Sequence, residues 1–486
     1  MSVGQLPPLA GALGRLGLMP ADPGPAAPAP DPSSARRAAA PSAGGASIPQ
    51  DVDWQLVVGL RREAVELISN ASAEWQATRN QPMPEEDRRV RGRAIIRSVV
   101  HARAQSLGEA GEALWPLELE LRYVDAVDNA IFGYGRLQPL FEIRDAENIE
   151  IHGCDTVTVQ YGDGHREAHA AVADTDEELV DAIRFLGQTA TPPRPFDDLH
   201  PTMTLALGNR FRLHAIGFGL SFRPSVVIRQ HLLTDVTLAE LADDGMLPPH
   251  VARLLQSAVM ARKSIVISGD QGAGKTTLLR ALIAAIHPTE RFGTLETDYE
   301  LLTHLLGNRR NILALQARVG MGEMAGGTSV GSYSVADLIP EALRQNLTRI
   351  VVGEVRGSEA GAMFEAMQSG AGCLATTHSH SASSTIDRLA ARVAQGRVLS
   401  VEDAMHQIAH HLNFIVHVTL RDDAWRGGTR VRFVSEVRQL TGSVEAGRPA
   451  THLVYRAATP TQPELFQPEA AMAAELAQFD GAGPWG

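Results

Sequence analysis

Eight consecutive residues carry the strongest chemical signal in this chain. Gly269, Asp270, Gln271, Gly272, Ala273, Gly274, Lys275 and Thr276 fit the phosphate-loop pattern G-x-x-x-x-G-K-[ST]. Glycines let a backbone wrap closely around an anion, so that successive N–H groups point at phosphate oxygens. The spacing gives Lys275 reach to β- and γ-phosphates and puts the Thr276 hydroxyl at Mg²⁺. Context agrees on both sides. The apolar run Ile265, Val266, Ile267 enters the turn as a strand, and a helix-favouring run from Thr277, counted with the nucleotide-binding residues, leaves it.

Phosphate chemistry then needs an acid on a second strand. In "RIVVGEVRG" the run Ile350, Val351, Val352 reads as a buried strand ending at Gly353 and Glu354, expected next to the phosphate-loop strand in a parallel sheet. Glu354 becomes the candidate acid for Mg²⁺ or its water; an exposed strand-end carboxylate is the bland alternative. Hydrolysis also needs a carboxylate that orients the attacking water. "GTLETDYELL" offers Glu296, Asp298 and Glu300, and spacing alone does not choose among them.

The elements that must position these residues are set out over 486 residues, too many for one ordinary core. Hydrophobic residues at 44% and charged residues at 21% give the balance of a globular protein. A formal net charge of -12 argues against broad coating of nucleic acid, so no direct nucleic-acid contact is expected. Only Cys154 and Cys373 occur, which excludes a disulfide framework and suits a reducing cytoplasm. The start lacks the charged leader, sustained apolar stretch and cleavage site of a signal peptide. No run approaches ~20 uninterrupted apolar residues, so any membrane role is expected to pass through a partner.

Composition and periodicity divide the chain. Residues 1–50, rich in Pro, Ala, Gly and Ser, read as a disordered tail. Residues 51–130 read as a small helical module, because Trp54, Val57, Val58, Leu60, Ala64, Val65, Leu67 and Ile68 recur at helical spacing. Alternating strands around "NIEIHG", "TVTVQYGDG" and "SVVIRQH", with the helix-like "DEELVDAIRFLGQ", make an α+β domain over 131–235. A linker with one short helix follows over 236–250. Alternating β and α segments make an α/β nucleotide-binding domain over 251–460, and a C-terminal tail spans 461–486.

The order of the phosphate loop, "LETDYEL", "LIPEALRQNLTRIVVGEVRG" and "GAGCLATTHSHSASSTIDRL" resembles the secretion ATPase superfamily, which powers type II and type IV secretion, type IV pili and conjugation. Within it the chain looks most like the tight-adherence (Flp pilus assembly) branch, whose N-terminal domain "IFGYGRLQPLF", "NIEIHG" and "NRFRLHAI" also resemble. The likeness covers about residues 131–442. It implies a RecA-like domain preceded by an α+β domain, ATP and Mg²⁺ as cofactors, a homo-hexameric ring, and a cytoplasmic site of work against an inner-membrane platform protein.

Carried over by position, the resemblance makes Glu300 the general base, Glu296 a supporting acid and His378 the histidine that senses the γ-phosphate; His380 beside it reads as an exposed residue. It also implies site-completing arginines at Arg212, Arg229 and Arg344. The sequence departs from the family at Thr297, where an aspartate is common, at "QNLTR", which keeps only Arg349 of an Arg-Pro-Asp-Arg run, and at Asn413, where aspartate is common. The implied function is a pilus-assembly or secretion motor. A conjugation or DNA-uptake motor and a weakly hydrolysing regulatory module are the alternatives.

Overall fold

The computed structural model describes residues 52–479, apart from 112, 191–192, 209, 234, 307–310, 319, 321–323, 326–327, 358, 371 and 397–398. The expected N-terminal tail, residues 1–50, lies outside the described residues. The described residues form two compact units: 52–161 with 166–230, and 162–165 with 231–479.

The first unit opens with three helices, α1 (Trp54–Arg79), α2 (Glu85–Glu109) and α3 (Leu117–Phe132). Asp53 starts α1, its carboxylate accepting from the N–H groups of Gln55 and Leu56. Val57, Leu60 and Ala64 then recur three or four residues apart, so one face meets Ile96, Val100, Val124 and Val127 in a separate core, and Ile68 continues the buried stripe. After α4 (Gln138–Phe141) come β1 (Ala146–His152), β2 (Thr156–Tyr161), β3 (Arg166–His169), α5 (Asp176–Thr189), β4 (Thr202–Leu207), β5 (Phe211–Ile216) and β6 (Ser225–Gln230). The strands pair antiparallel in the order β3-β2-β1-β6-β5-β4. Ile149, Ile151, Leu205, Leu213 and Ile228 share a core with Leu179, Ile183 and Leu186 of α5. Period-2 geometry sends the intervening residues, Arg212 and Arg229 among them, to the opposite face.

In the second unit, α6 (Leu238–Asp243) and α7 (Pro249–Met260) lead to β7 (Ile265–Gly269) and α8 (Lys275–Ala284). Then follow β8 (Phe292–Glu296), β9 (Ile312–Gln316), the short pair β10 (Met324–Ala325) and β11 (Thr328–Ser329), α9 (Val335–Leu343), β12 (Arg349–Val352), α10 (Glu359–Gln368) and β13 (Gly372–His378). The remainder is α11 (Ala382–Gln395), α12 (Val401–His411), β14 (Phe414–Asp422), β15 (Arg430–Glu445), β16 (Arg448–Ala457), β17 (Pro463–Leu465) and α13 (Ala470–Ala477).

Nine strands form one sheet in the order β17-β16-β15-β14-β7-β13-β12-β8-β9. From β14 to β9 every pair is parallel, and β14 to β17 pair antiparallel. The parallel part is buried on both faces: Ile265 and Ile267 face Leu278 and Leu282, whereas Val266 faces Phe364, Ile386 and Leu389. This order corrects one expectation. β12, which carries Glu354 at its end, does not lie beside β7; β13 lies between them. Two-sided apolar runs are interchangeable as sequence, so they announce a buried strand without stating its neighbour.

Residues 461–479, read above as part of a tail, add β17 to the sheet edge and pack α13, where Leu476 is buried and Glu475 Oε2 accepts from Lys263 Nζ at 2.7 Å. Among the described residues no helix is long and apolar enough to cross a membrane.

Candidate functional site

The phosphate loop runs from the end of β7 into α8. Its three glycines have positive φ values of 154° at Gly269, 74° at Gly272 and 93° at Gly274. At Gly269 a Cβ would stand 2.2 Å from the Val418 carbonyl oxygen of the neighbouring strand β14, so only glycine fits. Gly274 caps α8 without a side-chain hydrogen bond, which leaves the first helical N–H groups available to an anion. Asp270 and Gln271 are exposed; Thr276 and Thr277 are half-buried on the first turn of α8. Ala273 is buried and its N–H donates to Asp270 O at 3.3 Å.

Lys275 is buried, and its Nζ donates to the Asp270 carbonyl oxygen at 2.9 Å. The same ammonium stands 3.2 Å from His378 Nδ1, at the end of β13. Donation by Lys275 fixes the imidazole tautomer, leaving Nδ1 as acceptor and the proton on Nε2. Nε2 in turn lies 3.1 Å from Glu354 Oε1. On the other side Arg356 Nη2 donates to Glu354 Oε2 at 2.6 Å. Burial pushes the Glu354 carboxyl up, but His378 and Arg356 together outweigh it and hold it down at about 2. Glu354 is therefore ionised at neutral pH. The structure thus brings Lys275, His378 and Glu354 together and adds Arg356, which the motif reading missed although it stands only two residues after Glu354.

Glu296 ends β8 almost fully buried, with Oε2 accepting from the N–H groups of Glu300 and Leu301, both at 2.8 Å. Burial dominates and pushes its carboxyl up to about 7, against the pull of those two donors and of Arg280. A Cβ on Gly353 would meet Glu296 Cγ at 3.0 Å, so the glycine before Glu354 makes room for this side chain. Glu300 is half-buried, and Arg280 Nη2 donates to its carbonyl oxygen. Asp298 and Glu300 both help raise the Arg356 pKa, behind its bond to Glu354, which places them in electrostatic reach of the Glu354 cluster. Glu296 thus shapes the loop that presents Glu300.

Elsewhere the candidates divide. Arg212 and Arg229, in the other unit, are register partners on β5 and β6 and so share one face of that sheet. Arg344 follows α9 and pairs with Glu341 at 3.0 Å, its side chain 69% exposed. His380 is 91% exposed beside Asp270, as expected. Arg349 is wholly buried, Nε donating to Glu290 Oε1 at 3.0 Å and Nη2 to Val259 O at 2.6 Å, a structural tie at the start of β12. Asn413, one of the departures, accepts from Ser264 N through Oδ1 at 2.8 Å, anchoring the entry to β7, a task for which an amide oxygen serves as well as a carboxylate.

The family model described as "Type II/IV secretion system protein" matches residues 200–437. A Mycobacterium tuberculosis (strain H37Rv) protein named for conjugal transfer is 32% identical over 337 residues, covering 65% of this chain and 87% of its own. The type IV secretion system protein PtlH of Bordetella pertussis is 36% identical over 136 residues, 28% of this chain and 38% of its own. Among solved structures, the VirB11 ATPase of the Brucella suis type IV secretion system is 24% identical with a TM-score of 0.32, covering 63% of this chain and 92% of that one. The Legionella pneumophila ATPase DotB is 18% identical with a TM-score of 0.43, covering 63% and 79%. The chain belongs to the type II/IV secretion system protein family.

Proposed function

We propose that this chain is an Mg²⁺-dependent ATP hydrolase of the tight-adherence branch, which works as a cytoplasmic ring hexamer and drives pilus assembly or protein secretion through an inner-membrane platform protein. The observation that carries the reading is the convergence of Lys275, His378 and ionised Glu354 on one phosphate loop. Bound ATP would draw Lys275 Nζ from the Asp270 carbonyl to its phosphates. His378, released from the ammonium, would face the γ-phosphate. Thr276 and Glu354 supply the hard oxygen donors that suit Mg²⁺, which would neutralise phosphate charge there. Glu300 is the base that orients water, held in place by the backbone bonds to Glu296.

Arg212 and Arg229, register partners on β5 and β6, are the arginines that would act toward a γ-phosphate. Arg344, tied to Glu341 within its own chain, is held as a third arginine for a neighbouring subunit. A motor reading follows from a γ-phosphate that favours one conformer and is removed by hydrolysis.

The test is phosphate release with and without Mg²⁺ by the parent and by Lys275→Ala. Loss of both turnover and ATP affinity in the variant is expected; unchanged turnover removes the site. Cross-linking in the native cell then identifies the membrane partner. The Mycobacterium tuberculosis relative's name favours conjugation as a second reading, against which stands the net charge of -12.

A further inference from the structure

The C-terminal strand β15 lies against the phosphate loop. Arg432 Nε donates to the Gly272 carbonyl oxygen at 2.7 Å, across 160 positions of sequence. Its Cδ would stand 3.5 Å from a Cβ on Gly274, and the Arg430 Nη2 would stand 3.6 Å from one on Gly272. Two residues on, Val434 N donates to Met246 O at 2.7 Å, and the Met246 Cε would lie 3.2 Å from a Gly274 Cβ. One strand therefore addresses two of the loop's glycines, Gly272 directly and Gly274 both through the Arg432 stem and through Met246.

We propose that Arg432 is a positioning residue that sets the orientation of the 272–273 peptide and so points the Ala273 N–H into the phosphate cradle. A trans peptide is planar, with its carbonyl and its N–H on opposite sides. Holding the Gly272 oxygen toward β15 therefore turns the Ala273 N–H the other way. That N–H donates to Asp270 O at 3.3 Å, the same oxygen that receives Lys275 Nζ at 2.9 Å. Gly272, at φ 74°, occupies a region in which its own peptide orientation is not dictated by a side chain, so the turn bond from Ala273 N to Asp270 O and the outside donor Arg432 set it together. A charged donor on a neutral carbonyl is among the stronger hydrogen bonds. The cradle's geometry thus depends on the antiparallel part of the sheet.

The inference rests on the phosphate-loop reading above, and its test separates the two. ADP affinity and ATP KM are measured on the full chain for the parent, for Arg432→Met, which keeps the stem and removes the donor, and for Arg438→Met. Arg438, on the same strand, bonds Glu436 and Thr451 instead of the loop. Arg432→Met is expected to raise ADP Kd and ATP KM together by about tenfold, since a misdirected N–H weakens ground and transition states alike. Arg438→Met is expected to leave ADP Kd unchanged. If Arg432→Met does not fold, Arg432→Lys, which lacks a donor at the Nε place, is expected to weaken ADP about threefold or more. Unchanged ADP affinity in the folded Arg432 variant overturns the inference, as does an equal loss in Arg438→Met or a loss confined to kcat. A parent that binds no ADP overturns the phosphate-loop reading itself and this inference with it.

Discussion

Glu296→Gln should remove one pH-dependent contribution to stability between pH 4.5 and 8. The Glu296 carboxyl is raised from 4.5 to about 7, chiefly by burial. A group whose folded pKa is raised contributes stability that is fully present below the unfolded value and is lost as pH climbs through the folded one. A shift of about 2.5 at roughly 1.36 kcal/mol per unit gives about 3 kcal/mol lost by pH 8. His250, His304, His411 and His417 are lowered by burial and work in the opposite sense, losing stability as pH falls through 6.5. The parent's own pH curve therefore mixes both, and only the difference between parent and variant isolates Glu296. Glu354, held at about 2, acts below pH 4.5 and stays out of the window. Urea unfolding of parent and variant at pH 4.5, 6, 7 and 8 is the assay. The variant should gain about 3 kcal/mol on the parent from the lowest pH to the highest. Parallel curves would refute the burial argument for this carboxyl.

Gly269→Ala should lose nucleotide binding or fail to fold, because its Cβ would stand 2.2 Å from the Val418 oxygen; ADP titration with a circular-dichroism melt checks it. Glu300→Gln should retain ATP while turnover falls about 10²–10⁴-fold, as loss of a general base does, and a larger loss in Glu296→Gln would move the base assignment. Arg349→Met should destabilise by about 3 kcal/mol in urea unfolding, because it removes the 3.0 Å cation from Glu290, whose side chain is only 7% exposed and keeps the Thr348 hydroxyl and Arg262 at 3.8 Å.

The chemistry of the loop is legible in the sequence because it is local. A strand, three glycines and Lys275 fall within a dozen positions, and the apolar run before Glu354 is as compact. What is not legible is whatever the fold joins across distance. β13 enters between β7 and β12 because tertiary packing sets strand order. Arg432 carries no motif; 160 residues separate it from the oxygen it holds, and one of several arginines on an exposed-looking strand reads as surface. Glu296 and Glu300 can be named together from sequence, but which of them is buried depends on a backbone turn after β8 that brings two N–H groups onto one carboxylate. Composition misleads over residues 461–479, since Pro and Ala frequency says nothing of an edge position beside β16.

The phosphate-loop strand pairs with neither of the strands that flank it in sequence. β7 ends at Gly269, and its two partners begin at Gly372 and Phe414. A ribosome adding about 5–20 residues per second needs several seconds to well over ten to supply the second of them. Throughout that interval Ile265, Val266 and Ile267, which end wholly buried, lack one or both of the strands they finally pair with. The nascent chain therefore carries an unpaired apolar edge beside its phosphate loop until β14 emerges, and a pause or truncation before Phe414 should leave it as a client for holding chaperones and a seed for aggregation.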